Sequence, residues 1–565
     1  MPRLILPVTA LVSILLVAAC TSPAPLYDLL IRGGTLYDGT GKPGYRGDLA
    51  VSGDRIVALG NLPENTLAGT VIDATGLAVC PGFINMLSWA NESLIEDGRS
   101  MSDILQGVTL EVMGEGESMG PLNATMKPSL AARQFDIHYD IEWSTLGEYL
   151  TYLERRGVSC NVASFIGAAT PRVYVLGYED RPPTAEELER MCALVDQAMQ
   201  EGAMGVASSL IYAPGFYAKT DELIALCKVA ASYNGLYISH IRNESYNLLE
   251  ALDEFLTIVR EAGIRGEIYH LKAAGEENWP KLEAAIERIE AARAAGMHVT
   301  ADVYPYTAAS TGLDAAMPPW VQEGGHAEWV KRLKDPTIRR KVAAEMSQRG
   351  VGWENFFHLA GPAGSLVVGL KQDSLKVLTG KTLAEIAELW KVPPAEAVMD
   401  LVVKDDSRVQ MVYFVMSEDN VRRKLSLPWV SIGSDMESSA PEGVFLLSST
   451  HPRAYGSFAK VLGRYVRDEG VMTLEEAMRR MSGLPAENLA LADRGRLAVN
   501  NFADVVVFDP AKIQDHATFE QPKQFATGVV HVVVNGTPVV TDGRHTGAKP
   551  GRFVHGPGYK PAGAR

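Results

Sequence analysis

The stretch from Tyr237 to Lys272 constrains this chain more than any other, because it sets two histidines at the ends of two short apolar runs. Gly235 to His240 (GLYISH) and Gly266 to His270 (GEIYH) each place β-branched and aromatic residues behind a glycine, the pattern of a buried strand. Between them, Leu248 to Ala262 carries apolar residues at helical spacing. The spacing predicts a β-α-β unit with a histidine at the same end of both parallel strands. In a parallel α/β barrel that end is the catalytic face, and imidazoles on successive strands converge there. Imidazole is the commonest protein ligand of zinc, so the pair points to a metal, whereas either histidine alone would read as a packed strand residue.

Apolar runs of strand length recur at Leu77 to Ile84, Val108 to Val112, Ser159 to Ile166, Met204 to Leu210, Leu236 to His240, Glu267 to Leu271, His298 to Tyr304 and Trp429 to Asp435. With amphipathic segments such as Ala185 to Glu201 and Trp279 to Ala295 between them, they predict an α/β chain folded as a (β/α)8 TIM-like barrel. The interval Thr307 to Pro428 is too long for one helix. It predicts an inserted subdomain at about 312–425, rich in helix at Pro336 to Arg349 and Leu383 to Trp390 and placed as a lid over the catalytic face. Both ends of the chain read differently, as short strands with hairpin signals at Ser52-Gly53-Asp54 and Asn535-Gly536. They predict a small β-sandwich built from residues 27–78 and 487–550, with the barrel at 79–486 inserted between.

A chain of 565 residues exceeds one hydrophobic core. Its formal charge of -15, without a basic stripe, excludes nucleic acid as the partner. Met1 to Arg3 is a short positive start, Leu4 to Ala19 is almost wholly apolar, and the run is too short to span a bilayer. Val17-Ala18-Ala19-Cys20 resembles a bacterial lipoprotein box, which implies a signal peptide at 1–20, a lipid tether on Cys20, and a body held on the periplasmic side of the cell envelope. A plain signal peptide and a soluble periplasmic protein stay open. Cys80, Cys160, Cys192 and Cys227 form no C-x-x-C pair, and Cys80 and Cys160 sit in strand-like runs as buried thiols.

The run VCPGFINMLSWANES, the pair His240 and His270, and SIGSD ending at Asp435 together resemble the amidohydrolase superfamily. HIRNE, YHLKAAG, ADVYPYTA and HPRAYGSFAKVLGRYV are similar to the N-acyl-D-amino-acid deacylase (D-aminoacylase) family, over nearly the whole chain after Tyr27. The resemblance implies a metal-dependent hydrolase that cleaves the amide bond of N-acyl-D-amino acids, releasing a carboxylate and a free D-amino acid. Two departures stand out. Where the superfamily has Asp-x-His-x-His, this chain has Asn85-Met86-Leu87-Ser88-Trp89, and Leu87 and Trp89 hold no metal. Where the family has a metal-binding cysteine, the turn Gly114 to Pro121 has none, and Glu115 falls opposite it.

Glu115, His240 and His270 are therefore the expected ligands of one divalent metal per chain, Zn2+, with Glu117 as second choice; iron, cobalt and manganese suit the same donors. The resemblance gives Asp435 the role of taking a proton from the attacking water and handing it to the leaving amine. It gives Arg453 the substrate carboxylate, onto which a guanidinium forks, and matches Lys272, Tyr212, Tyr304 and Ser310 to further substrate contacts. Other readings of the same barrel are a cyclic-amide hydrolase of the dihydroorotase or hydantoinase type, a D-amino-acid dipeptidase, and a non-catalytic envelope binding protein. The acyl group, the accepted side chain and the oligomeric state have no legible signature.

Overall fold

The computed structural model describes residues 26–561, so the signal peptide and lipid tether expected at 1–20, with Cys20, lie outside the described residues. Both ends of the chain share one nine-stranded sheet, in which Val505–Phe508 runs antiparallel to Ala78–Pro81, itself parallel to Tyr27–Leu36. The expected strand Leu77 to Ile84 is thus two strands. Ala78–Pro81 belongs to the end sheet and Phe83–Asn85 opens the parallel one. Gly82 separates them where a side chain could not pass, since a Cβ there would sit 2.0 Å from Thr109 Oγ1.

Parallel strands then follow one another in chain order. Phe83–Asn85 pairs with Val108–Met113, and that with Asn161–Ser164. The third strand kinks at Phe165 and continues as Ile166–Gly167 beside Gly205–Ser209. Leu236–His240, Arg265–Ile268, Val299–Val303 and Val430–Ile432 complete the series. The last strand returns to the first: Asp435 N–H donates to the Leu87 carbonyl at 2.8 Å, Ser434 N–H to Asn85 Oδ1 at 2.8 Å, and Trp89 N–H to the Met436 carbonyl at 3.0 Å. These bonds bring residues 85–89, where the chain departs from the superfamily pattern, beside residues 432–436, where it keeps it.

Helices Ala185–Glu201 and Leu248–Ala262 cover the residues their periodicity marks. The first is fixed by a Thr184–Glu187 capping box, and the second ends on Gly263 in the left-handed region at φ +64. Strand Arg265–Ile268 stops earlier than the sequence predicts. The His270 N–H donates to Asp302 Oδ1 at 2.9 Å and His270 takes φ +37, which turns the chain out of the sheet. His240 therefore ends its strand, while His270 lies beyond the end of its own.

Between the seventh and eighth parallel strands the chain forms helices Pro336–Met346, Leu383–Trp390 and Pro394–Asp405. It also forms a three-stranded antiparallel sheet of Ala308–Gly312, Gln410–Phe414 and Ser365–Gly369, which the sequence did not announce. These strands are short and far apart in the chain, so no hairpin signal joins them. Met317, Val367, Leu401 and Met411, all fully buried, form part of a core separate from that under the parallel strands. No described helix is long and apolar enough to cross a membrane. Cys80, Cys160 and Cys227 are buried free thiols, and Cys192 is free and partly exposed.

Candidate metal centre and active site

Glu115 stands in a turn after the second parallel strand, between Gly114 at φ +107 and Gly116 at φ +69. A Cβ would lie 2.4 Å from the Phe165 carbonyl at Gly114 and 2.5 Å from Ser209 Cβ at Gly116, so only glycines let this turn fold inward. The carboxylate is buried, and its Oε1 lies 3.1 Å from His240 Nδ1 and 3.2 Å from His270 Nε2. Ser209 Oγ donates to the same oxygen at 3.1 Å. The two imidazoles meet edge to face with centroids 4.5 Å apart. Tetrahedral zinc holds its N and O ligands about 3.3 Å from one another, and these three residues offer ligand atoms all within 4.8 Å of one another, a set that could hold one divalent cation.

Glu244, which the sequence reading quoted within HIRNE but gave no role, closes the other side. Its Oε2 lies 3.3 Å from His240 Nε2 and its Oε1 3.1 Å from His270 Nδ1. One carboxylate thus faces the outward nitrogen of both rings at ion-pair distance, although His240 Nε2 makes no hydrogen bond among the described residues. Its spacing of four residues from His240, just past a strand end, was the available signal. Lys272 Nζ donates to both Glu244 oxygens at 2.8 Å and lies 2.7 Å from His270 Nδ1. Lys272, expected at the substrate, spends its donors inside this cluster.

Charge orders the cluster. Burial alone would raise Glu115, but hydrogen bonds from His240 and His270 hold it well below the usual carboxylate range. Burial likewise opposes ionisation of Glu244, and the charges of His240, Lys272 and His270 hold it below the usual carboxylate range. His270 is pushed up to about 10: burial and Lys272 act against the imidazolium, and Glu244 and Glu115 outweigh them.

Asp435, held at φ +54, faces the cluster from the end of the eighth strand. Its Oδ2 pairs with Arg453 Nη2 at 2.8 Å, and its Oδ1 accepts from Trp89 Nε1 at 3.1 Å. Burial raises its pKa against the pull of Arg453 and His270, toward the range a general base needs. Arg453 is 1% exposed and stacks over the Tyr304 ring at 4.3 Å. Its Nε and Nη1, and the Tyr304 hydroxyl, have no hydrogen-bond partner among the described residues. Tyr212 packs edge-on against His240 and bonds its hydroxyl to Thr311 Oγ1 at 2.7 Å. Ser310 turns its hydroxyl to the Met411 carbonyl and offers its own carbonyl to Arg453 Nη2 at 3.5 Å. Glu117 stands apart with its side chain 47% exposed, 3.7 Å from Arg133, because the turn at Gly116 sends it outward.

The chain is similar to known proteins over most of its length. The amidohydrolase family profile matches residues 70–540. A D-aminoacylase of Alcaligenes xylosoxydans xylosoxydans is 34% identical over 531 residues, 94% of this chain and 97% of that one. An N-acyl-D-glutamate deacylase of the same organism is 33% identical, over 93% of this chain and 96% of its own length. Among solved structures, a D-aminoacylase studied for the role of its binuclear metal centre superposes with a TM-score of 0.78 at 32% identity, covering 94% of this chain and 100% of that one. The chain belongs to the amidohydrolase family and is a hydrolase that acts on carbon–nitrogen bonds other than peptide bonds.

Proposed function

We propose that this protein hydrolyses the amide bond of N-acyl-D-amino acids, using one divalent metal, zinc, held by Glu115, His240 and His270. The observation that carries the reading is Arg453: a buried guanidinium with Nε and Nη1 unpartnered, beside Asp435 and the metal-ligating cluster. Two cationic donors left bare in a buried site call for an anionic or polar partner, and the carboxylate of an N-acyl amino acid supplies one. Tyr304, whose hydroxyl is also free, completes that end of the substrate. Asp435 accepts a proton from the attacking water and returns it to the departing nitrogen. A bound divalent metal supplies Lewis acidity to the amide carbonyl. Lys272 serves by holding Glu244 rather than by touching substrate.

The same reading treats the eight parallel strands as one closed (β/α)8 barrel at 79–486, supported by the bonds from Ser434 and Asp435 back to the first strand. The nine-stranded end sheet corresponds to the small β-sandwich of 27–78 and 487–550, and the segment at about 312–425 to a lid. Cys20 is proposed as a lipid tether that keeps the enzyme on the periplasmic side of the envelope. Likeness to an L-hydantoinase at 14% identity and TM-score 0.53 concerns the fold alone and adds nothing to a cyclic-amide reading.

The test is elemental analysis of chelator-free protein together with a screen of N-acyl-D- and N-acyl-L-amino acids. Near one zinc per chain and turnover of the D series are expected. Turnover restricted to cyclic amides, or retained after complete metal removal, would overturn the proposal.

A further inference from the structure

Trp89 is the one large apolar residue that joins this site through a polar atom. Its ring stands 37% exposed at the rim, yet its Nε1 turns inward, donating to Glu115 Oε2 at 3.0 Å and Asp435 Oδ1 at 3.1 Å. No other donor among the described residues reaches either oxygen. Its backbone is fixed as well, since Trp89 N–H bonds the Met436 carbonyl at 3.0 Å and so ties the end of the first parallel strand to the end of the eighth. Two buried carboxylates that share a gap repel one another unless something positive stands between them. Here that something is an indole N–H dipole.

We propose that Trp89 is a positioning residue that aligns Glu115 and Asp435 and, by filling the gap between them, denies it to a second cation. The inference rests on the metal reading above. On this view Glu115 keeps Oε1 for the cation it shares with His240 and His270, while Oε2 is locked by the indole. Asp435 is aimed by Trp89 on one oxygen and by Arg453 on the other, so its lone pairs face the reacting centre in one orientation. An indole N–H is always a donor and never a ligand, so this arrangement is insensitive to metal supply.

The experiment compares the full-length wild type with Trp89→Phe and Trp89→His, measuring zinc per chain at saturation, kcat and KM. Wild type should hold one zinc. Trp89→Phe should still hold zinc with His240 and His270 but lose about 10- to 100-fold in kcat, with KM little changed, the range for lost support of a metal site. Trp89→His, which places a ligand nitrogen in the gap, should take up a second zinc. A kcat within twofold of wild type in the Phe variant overturns the positioning role, and one zinc in the His variant overturns the exclusion role. If the Phe variant fails to fold, the stoichiometry of the His variant decides. Wild type without metal would sink the metal reading and this one together; wild type with one zinc and both variants unchanged would sink this one alone.

Discussion

Glu244→Gln is the perturbation whose consequences the structure fixes most tightly. Glutamine keeps the shape but removes the charge that meets Lys272 Nζ at 2.8 Å on both oxygens and faces His240 and His270 at 3.3 and 3.1 Å. Lys272 and Glu244 are both almost completely buried, at 3% and 1% exposure, so solvent does not screen the loss. Breaking one side of such a pair strands the other charge, at a cost of about 3–5 kcal/mol in stability. Losing the negative charge that faces both ligand rings lowers metal affinity by about 10- to 100-fold. Denaturant unfolding reads the first effect, and competition with a zinc chelator the second. Glu244→Gln combined with Lys272→Met removes the stranded ammonium, so stability should recover while affinity stays low, a non-additivity that only coupled residues give. If Glu244→Gln binds zinc within twofold of wild type and unfolds at the same denaturant concentration, this role is wrong.

Three further outcomes are expected. Arg453→Met should raise KM for carboxylate-bearing substrates; because Arg453 holds the Asp435 pKa down against burial, its removal should also move the acidic limb of the kcat/KM profile to higher pH, and an unmoved limb would refute the pairing. Asp435→Asn should cost about 10²- to 10⁴-fold in kcat, the worth of a positioned general base, with zinc content unchanged. In chelator-treated protein, the raised His270 pKa contributes stability that is full below its ordinary value of 6.5 and lost as pH rises through about 10. Urea unfolding across that window checks the sign, and stability that climbs with pH there would contradict it.

The sequence determined a good deal by itself. Apolar periodicity marked Leu248–Ala262 and Ala185–Glu201, and glycine-bounded strands ending in histidine marked His240 and His270, because these signals are local. Glu115 came into view through the family resemblance, because it falls opposite the cysteine that the family carries in the turn after the second strand. What tertiary structure decided is everything that depends on which oxygen faces which nitrogen. It split Leu77 to Ile84 at Gly82, where the second strand leaves no room for a side chain, and it turned His270 out of its strand through Asp302. It paired Lys272 with Glu244, a contact that no local pattern announces. It also made Trp89, whose only sequence meaning was a missing histidine, the shared donor of two carboxylates. Periodicity reports which side of an element is buried, whereas the partner of a buried polar atom is set by contacts between residues as far apart as Trp89 and Asp435, which the bonds from the end of the last parallel strand to the end of the first bring together.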